Sequence, residues 1–157
     1  MIAIREGKKE DIEETVEILL QIANIHYENR QNKFFKRDKN KIKEWVKNQL
    51  NTGEQKLIVA ENEKSQICGI LMYKIKEIRE DRVFKDAKIL WISDLGVDEK
   101  CRSQGIGKKL MNEAKEIAKE IGCTRIELNC WEFNENARRF YNENGLVTQR
   151  RTMEIDV

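Results

Sequence analysis

The 157-residue chain contains no proline and one histidine, His26. With no proline and no glycine- or serine-rich stretch, nothing in it reads as a linker between domains, and no internal repeat divides it. Its four cysteines, Cys68, Cys101, Cys123 and Cys130, include no pair two residues apart. Zinc and dithiol redox motifs are thereby disfavoured, and no metal is expected. Three of the four lie in or beside apolar runs, where a thiol packs as a small hydrophobe, and reduced cytosolic cysteines are the expectation. No window reaches the roughly 18 apolar residues of a membrane span. The N-terminal "MIAIREGKKE" lacks the apolar core of a signal peptide. Charge is abundant but balanced, 30 Lys/Arg against 28 Asp/Glu for a formal +2. That balance argues against the basic face that binds a nucleic-acid backbone. The expectation is a single cytoplasmic domain over residues 1–157, partnering neither nucleic acid nor membrane, as a monomer or a homodimer. A chain of this length buries roughly 70% of its unfolded surface and needs no metal or disulfide to fold.

What is present is hydrophobic periodicity. "IAIRE" alternates as a first strand, and Gly7 with Glu10 suggests a cap for the next helix. Ile12, Val16, Leu19, Leu20 and Ala23 recur at helical spacing, and Ile42, Trp45, Val46 and Leu50 mark a second helix stopped near Gly53. "KLIVAEN" and "QICGILMYKIKEI" read as a hairpin, and "AKILWISDLGV" as another strand. Ile106, Leu110, Ala114, Ile117, Ala118 and Ile121 give a third helix ended at Gly122. "CTRIELNCW" reads as a strand, "NENARRFYNEN" as a short helix from Asn134, and "LVTQRRTMEIDV" as one or two closing strands. The order is β-α-α-β-β-β-α-β-α-β with an optional last strand, an α/β (α+β) mixed sheet with helices on both faces. Seven Lys/Arg between Lys33 and Lys47 read as a solvated helix face, or as a patch for a polyanionic ligand.

The stretch "CRSQGIGKKL" sets Gly105 and Gly107 at the mouth of the third helix, flanked by Arg102, Lys108 and Lys109. It fits neither a Rossmann fingerprint, since Leu110 stands where a third glycine is needed, nor a Walker A loop, since Lys109 stands where Ser or Thr is needed. Glycines ahead of a helix free backbone N–H groups to face an anion. The same pair would also suit a plain tight turn.

"LGVDEKCRSQGIGKKLMNEA" resembles the acetyl-CoA signature of the Gcn5-related N-acetyltransferases. That signature is a strand ending in Val, a polar turn, and Arg/Gln-x-x-Gly-x-Gly/Ala opening a helix. A second block of the family, Asn-x-x-Ala-x-x-aromatic-Tyr-x-x-x-Gly, resembles Asn134, Ala137, Phe140, Tyr141 and Gly145, with Leu146 next. The resemblance is strong from Trp91 to Leu146. It implies the acyl-CoA N-acyltransferase fold, with a mostly antiparallel sheet splayed between two strands. It also implies acetyl-CoA as co-substrate and an amine acceptor. The diphosphate would lie on the backbone of Ser103, Gln104, Gly105, Ile106, Gly107 and Lys108, with Arg102 near it. The pantetheine arm would pair along Leu95, Gly96 and Val97, as in strand addition. Asn134 would cap the short helix and reach the coenzyme.

The resemblance assigns Tyr141 as the acid that meets the departing thiolate; packing in the core is the other role open to it. Asp94, in the middle of "ILWISDLGV", is a candidate base, and equally a partner for a neighbouring strand or helix. The family often carries Glu where this chain has Ser93 or Asn129, which leaves Glu127 or water as alternative bases. The linker "NIHYENRQNKFFKRDKN" offers His26, Tyr27, Glu28, Arg30, Phe34 and Phe35 to line an acceptor pocket, with an aromatic or acidic lining suited to an amine. The activity expected is transfer of acetyl from acetyl-CoA to a primary amine of a small molecule, peptide or protein, by direct attack in a ternary complex. The competing expectation is a coenzyme-A-sensing or partner-binding module without catalysis.

Overall fold

The computed structural model describes residues 1–157. Its sheet has the order β1-β2-β3-β4-β5, with β1 Ala3–Glu6, β2 Lys56–Glu61, β3 Ile67–Ile78, β4 Ala87–Val97 and β5 Arg125–Glu127. The first four strands pair antiparallel, and β5 pairs parallel with β4. β3 is central and buried on both sides over its first seven residues, as its unbroken apolar run requires. Ile67, Ile70 and Met72 face one way; Cys68, Leu71 and Tyr73 face the other.

Each face receives a helical layer. Helices α1 (Ile12–Asn29) and α2 (Lys39–Thr52) place Val16, Leu19, Ile42 and Val46 against Leu57, Val59, Ile70 and Met72. On the other face, α3 (Ile106–Ile121) packs Ile106, Leu110, Met111 and Ala114 against Ile58, Leu71 and Leu90. After β5, the short α4 (Glu135–Glu143) lays Phe140 against that second cluster. α2 starts at Asp38, whose carboxylate accepts from the Lys41 N–H at 3.0 Å, a standard N-cap. Of the basic run around it, Lys39 pairs with Glu17 and Lys43 with Glu13 on α1, so part of the run serves helix–helix contact at the surface.

Three expectations need correction. Gly7 does not cap α1. A 3₁₀ turn, Lys9–Asp11, intervenes, and the buried Asp11 carboxylate accepts from Arg5 at 2.7 and 3.0 Å and from the Lys8 N–H at 2.7 Å. Arg5 holds the Asp11 carboxyl below the ordinary carboxylate range. The strand expected over residues 123–131 is only Arg125–Glu127. The closing strands are absent: residues 146–157 hold no strand. Met153, Ile155 and Val157 keep the alternation but are exposed, and alternation makes a strand only where a neighbour pairs it and buries one face.

Candidate active site

The site is built around β4. Its pairing with β5 covers only Ile89–Trp91 against Arg125–Glu127. Beyond Trp91 the two strands part, leaving one edge of residues 92–97 without a strand neighbour. In its pairing with β3, Asp94 stands opposite Met72 and Ile92 opposite Tyr73, so Ser93 is the extra residue of a β-bulge. Ser93 donates its hydroxyl to the Gln55 side chain at 2.9 Å. A bulge reverses the facing of the residues beyond it. Leu90 and Ile92 face α3, and Leu95 and Val97 pack on that same side. Asp94 is thereby turned toward α1 and α2.

On the α3 side lies a cavity of about 360 Å³ lined by Val97, Arg102, Ser103, Gly105, Ile106, Gly107, Lys108, Phe140, Glu143 and Asn144. No side chain caps the start of α3, so its first amides are open, and the positive end of the helix faces the cavity. Ser103 (φ 65°) and Gly105 (φ 70°) both take the left-handed conformation. A Cβ at Gly105 would meet nothing within 4 Å, so backbone geometry, not crowding within the chain, is what calls for glycine there. Gly107 differs: its Cβ would stand 3.1 and 3.2 Å from the Phe140 ring. The second glycine thus lets α4 approach α3. Gln104 does not line this cavity, whereas Glu143 and Asn144 do, with no motif in the sequence to mark them. Asn134 accepts the Ala137 N–H at 3.1 Å and caps α4.

On the opposite face of β4 lies a second cavity of about 330 Å³, lined by Leu19, Ile22, Ala23, His26, Phe34, Phe35, Arg37, Ile42, Trp45 and Asp94. His26 and Phe34 are among the residues read from the linker; Tyr27 and Glu28 do not line it. Arg37 and Trp45 are lining residues that sequence reasoning misses. Trp45 carries the same helical signal as a core position, and nothing in sequence marks the cavity it borders. His26 stacks on Phe34 (5.3 Å between centroids), and Phe34 meets Trp131 edge-on at 5.1 Å. Phe133 closes this aromatic cluster at 6.0 Å from both Trp131 and His26. Burial lowers the His26 pKa, leaving a neutral imidazole at pH 7.

The Asp94 carboxylate makes no hydrogen bond or ion pair within the chain. Burial raises its carboxyl above the ordinary range, with Arg37 acting weakly in the other direction. Tyr141, on α4, lies 5.3 Å from Phe140 between ring centroids. Burial pushes its phenol above the ordinary value, and Cys130 and Asp94 add to the shift. The phenol keeps its proton, the carboxyl is held above its ordinary range, and the charge of Asp94 acts on the phenol. Such a pair suits proton donation and proton uptake at neutral pH.

Comparison with known proteins agrees with this architecture. The BH1408 protein of Bacillus halodurans, solved as a mutant, superposes with a TM-score of 0.94 over 99% of both chains at 25% identity. Glucosamine-6-phosphate N-acetyltransferase from Arabidopsis thaliana shares the fold, with a TM-score of 0.65 at 19% identity over 99% of this chain and 98% of that one. In sequence, an uncharacterized N-acetyltransferase encoded in the pepI 3' region of Lactobacillus delbrueckii subsp. lactis is 30% identical over 52% of this chain. This chain spans less than half the length of that relative, 46%. The model of the acetyltransferase (GNAT) family matches residues 19–146, and the chain belongs to that family.

Proposed function

We propose that this chain is an acetyl-CoA-dependent N-acetyltransferase acting on a primary amine by direct attack in a ternary complex. One observation carries the reading: two cavities lie on opposite faces of β4, and β4 and β5 part between them. The α3 cavity fits the diphosphate of a coenzyme, through the uncapped amides of residues 106–108, the open space over Gly105, and Arg102 and Lys108 at the lining. The free edge of Leu95–Val97 suits an amide-bearing arm that completes the missing strand. Acetyl-CoA would supply the acetyl group as an activated thioester.

The chain's own groups then have definite tasks. An amine of lysine type, with a pKa of about 10.4, is roughly one part in a thousand neutral at pH 7. Asp94 takes the ammonium proton, which frees the nitrogen pair to form the new N–C bond. As the C–S bond breaks, Tyr141 gives its proton to the departing sulfur and regains one from the acylated nitrogen. The balance is an amide, a free thiol and one proton released to water. Glu127 is the less suitable base because its carboxylate is already engaged by Arg125 at 2.6 Å.

Thiol release from acetyl-CoA, followed across a panel of amines, tests this. Amine-dependent, saturable release is expected. Saturable coenzyme binding with no release on any amine would favour a sensing module instead.

A further inference from the structure

The acceptor cavity is specific in what it offers. Seven of its ten lining residues are hydrophobic, and its volume is about 330 Å³, near the lower end for small-molecule sites. Asp94 is its one acid and Arg37 its one full-time cation. Neither is spent inside the chain. Lys33, Lys39 and Lys43, in the same basic run, pair with Glu154, Glu17 and Glu13; Arg37 pairs with nothing. Phe35 is 90% exposed and Trp45 36%, so apolar surface is left uncovered at the rim.

From this lining we infer that the acceptor is an amino acid with a large apolar side chain. Its amine would meet Asp94, its carboxylate Arg37, and its side chain the Phe34, Phe35 and Trp45 wall. The inference rests on the acetyltransferase reading above. The chemistry excludes the other common amines in turn. A polyamine would bring a second cation toward Arg37 with no second acid to receive it. An amino sugar would bury several hydroxyls against a lining with few hydrogen-bonding side chains, each unpaired group being costly. A lysine on a protein surface lacks the carboxylate that Arg37 is free to take, and guanidinium–carboxylate pairing is a strong, directional contact.

The test uses the full chain with saturating acetyl-CoA and four acceptors: L-phenylalanine, L-phenylalaninamide, glycine and spermidine. Thiol release gives kcat/KM for each. L-phenylalanine is expected to exceed its amide by about 10-fold, the scale of a charge-assisted hydrogen bond, and glycine by about 10²-fold, the scale of burying a phenyl side chain. In Arg37→Gln the acid-to-amide ratio should fall toward one; Arg37 is exposed and unpaired, and an unchanged melting curve would verify folding. Spermidine as the best acceptor, or an acid-to-amide ratio that survives Arg37→Gln, overturns the assignment while leaving acetyl transfer intact. If no amine releases thiol, calorimetric titration of L-phenylalanine and its amide into the coenzyme-saturated protein separates the two readings. Saturable binding with the same preference sustains the ligand class and overturns transfer, and no heat overturns both.

Discussion

The two faces of β4 are built by different means. The α3 face is made by main chain: left-handed residues at 103 and 105, an uncapped helix start, and an unpaired strand edge. The α1/α2 face is made by side chains drawn from residues 19 to 94. A backbone-built site fixes its geometry within one short stretch of chain, here residues 92–108, and tolerates little change there. A side-chain-built site is assembled from distant elements and can be relined one residue at a time. Within one fold, the first arrangement suits a constant ligand and the second a variable one.

The largest effect expected on this contrast comes from Gly105→Glu. The new side chain places bulk and negative charge where an anion would sit, on a residue already at positive φ. Saturable acetyl-CoA binding by calorimetry should be lost while the circular dichroism spectrum stays native. Retained affinity would move the coenzyme away from the α3 face. Next in size is Tyr141→Phe. It keeps the ring and removes the proton, so turnover should fall by roughly 10²-fold or more, the scale of a general acid, with acetyl-CoA affinity little changed. Normal turnover would reduce Tyr141 to a packing residue beside Phe140.

The same contrast explains which features are legible in the sequence. The chain order of the elements as far as the short helix, the three long helices and the glycine loop are local: periodicity and a few punctuating residues specify them. Asp94 shows the limit. Counted back from Val97, alternation puts it on the opposite face, which is where it lies. Counted forward from Ile92, alternation puts it on the same face as Ile92, and the bulge at Ser93 is what reconciles the two. A bulge depends on how the partner strand pairs, which no single strand encodes. Arg37, Trp45, Trp131 and Phe133 escape sequence reading for a related reason. They are ordinary surface or core residues until the linker, α2 and the segment after β5 are brought together. The closing strands are over-read because Met153, Ile155 and Val157 alternate without a partner to bury them.

Asp94→Asn gives the next effect, and it carries a sign. As a base, Asp94 must be ionised to act. Burial holds its carboxyl above the ordinary range, so kcat/KM should rise with pH along a limb displaced upward from about pH 4, the ordinary carboxylate value. The variant should lose about 10²-fold near neutrality and show no such limb. Stability should move the other way. A carboxyl that is harder to ionise when folded binds more protons in the native state. The wild-type fold therefore loses stability as pH rises from the unfolded value through the raised one. Asparagine removes that loss, so the variant should melt no lower than wild type at pH 7. A lower melting temperature with unchanged turnover would make Asp94 a structural partner.

The smallest effect separates the two glycines. Gly107→Ala adds a methyl 3.1 Å from Phe140, and the ring must shift by a few tenths of an ångström. Alanine in a helix is favoured over glycine by about 1 kcal/mol, which offsets much of that crowding, so the melting temperature should barely change. Phe140 precedes Tyr141, however, and a moved ring moves the phenol. Turnover should drop a few-fold with acetyl-CoA affinity nearly constant, since misplacing a catalytic group by a fraction of an ångström lowers rate more than binding. Gly105→Ala should invert this pattern. It meets no atom but forces a Cβ onto positive φ, at a cost of about 1 to 2 kcal/mol, and its main effect should be on coenzyme affinity. If both alanines lowered affinity and spared turnover, Gly107 would belong to the anion loop alone, and the link from α3 through Phe140 to the phenol would be broken.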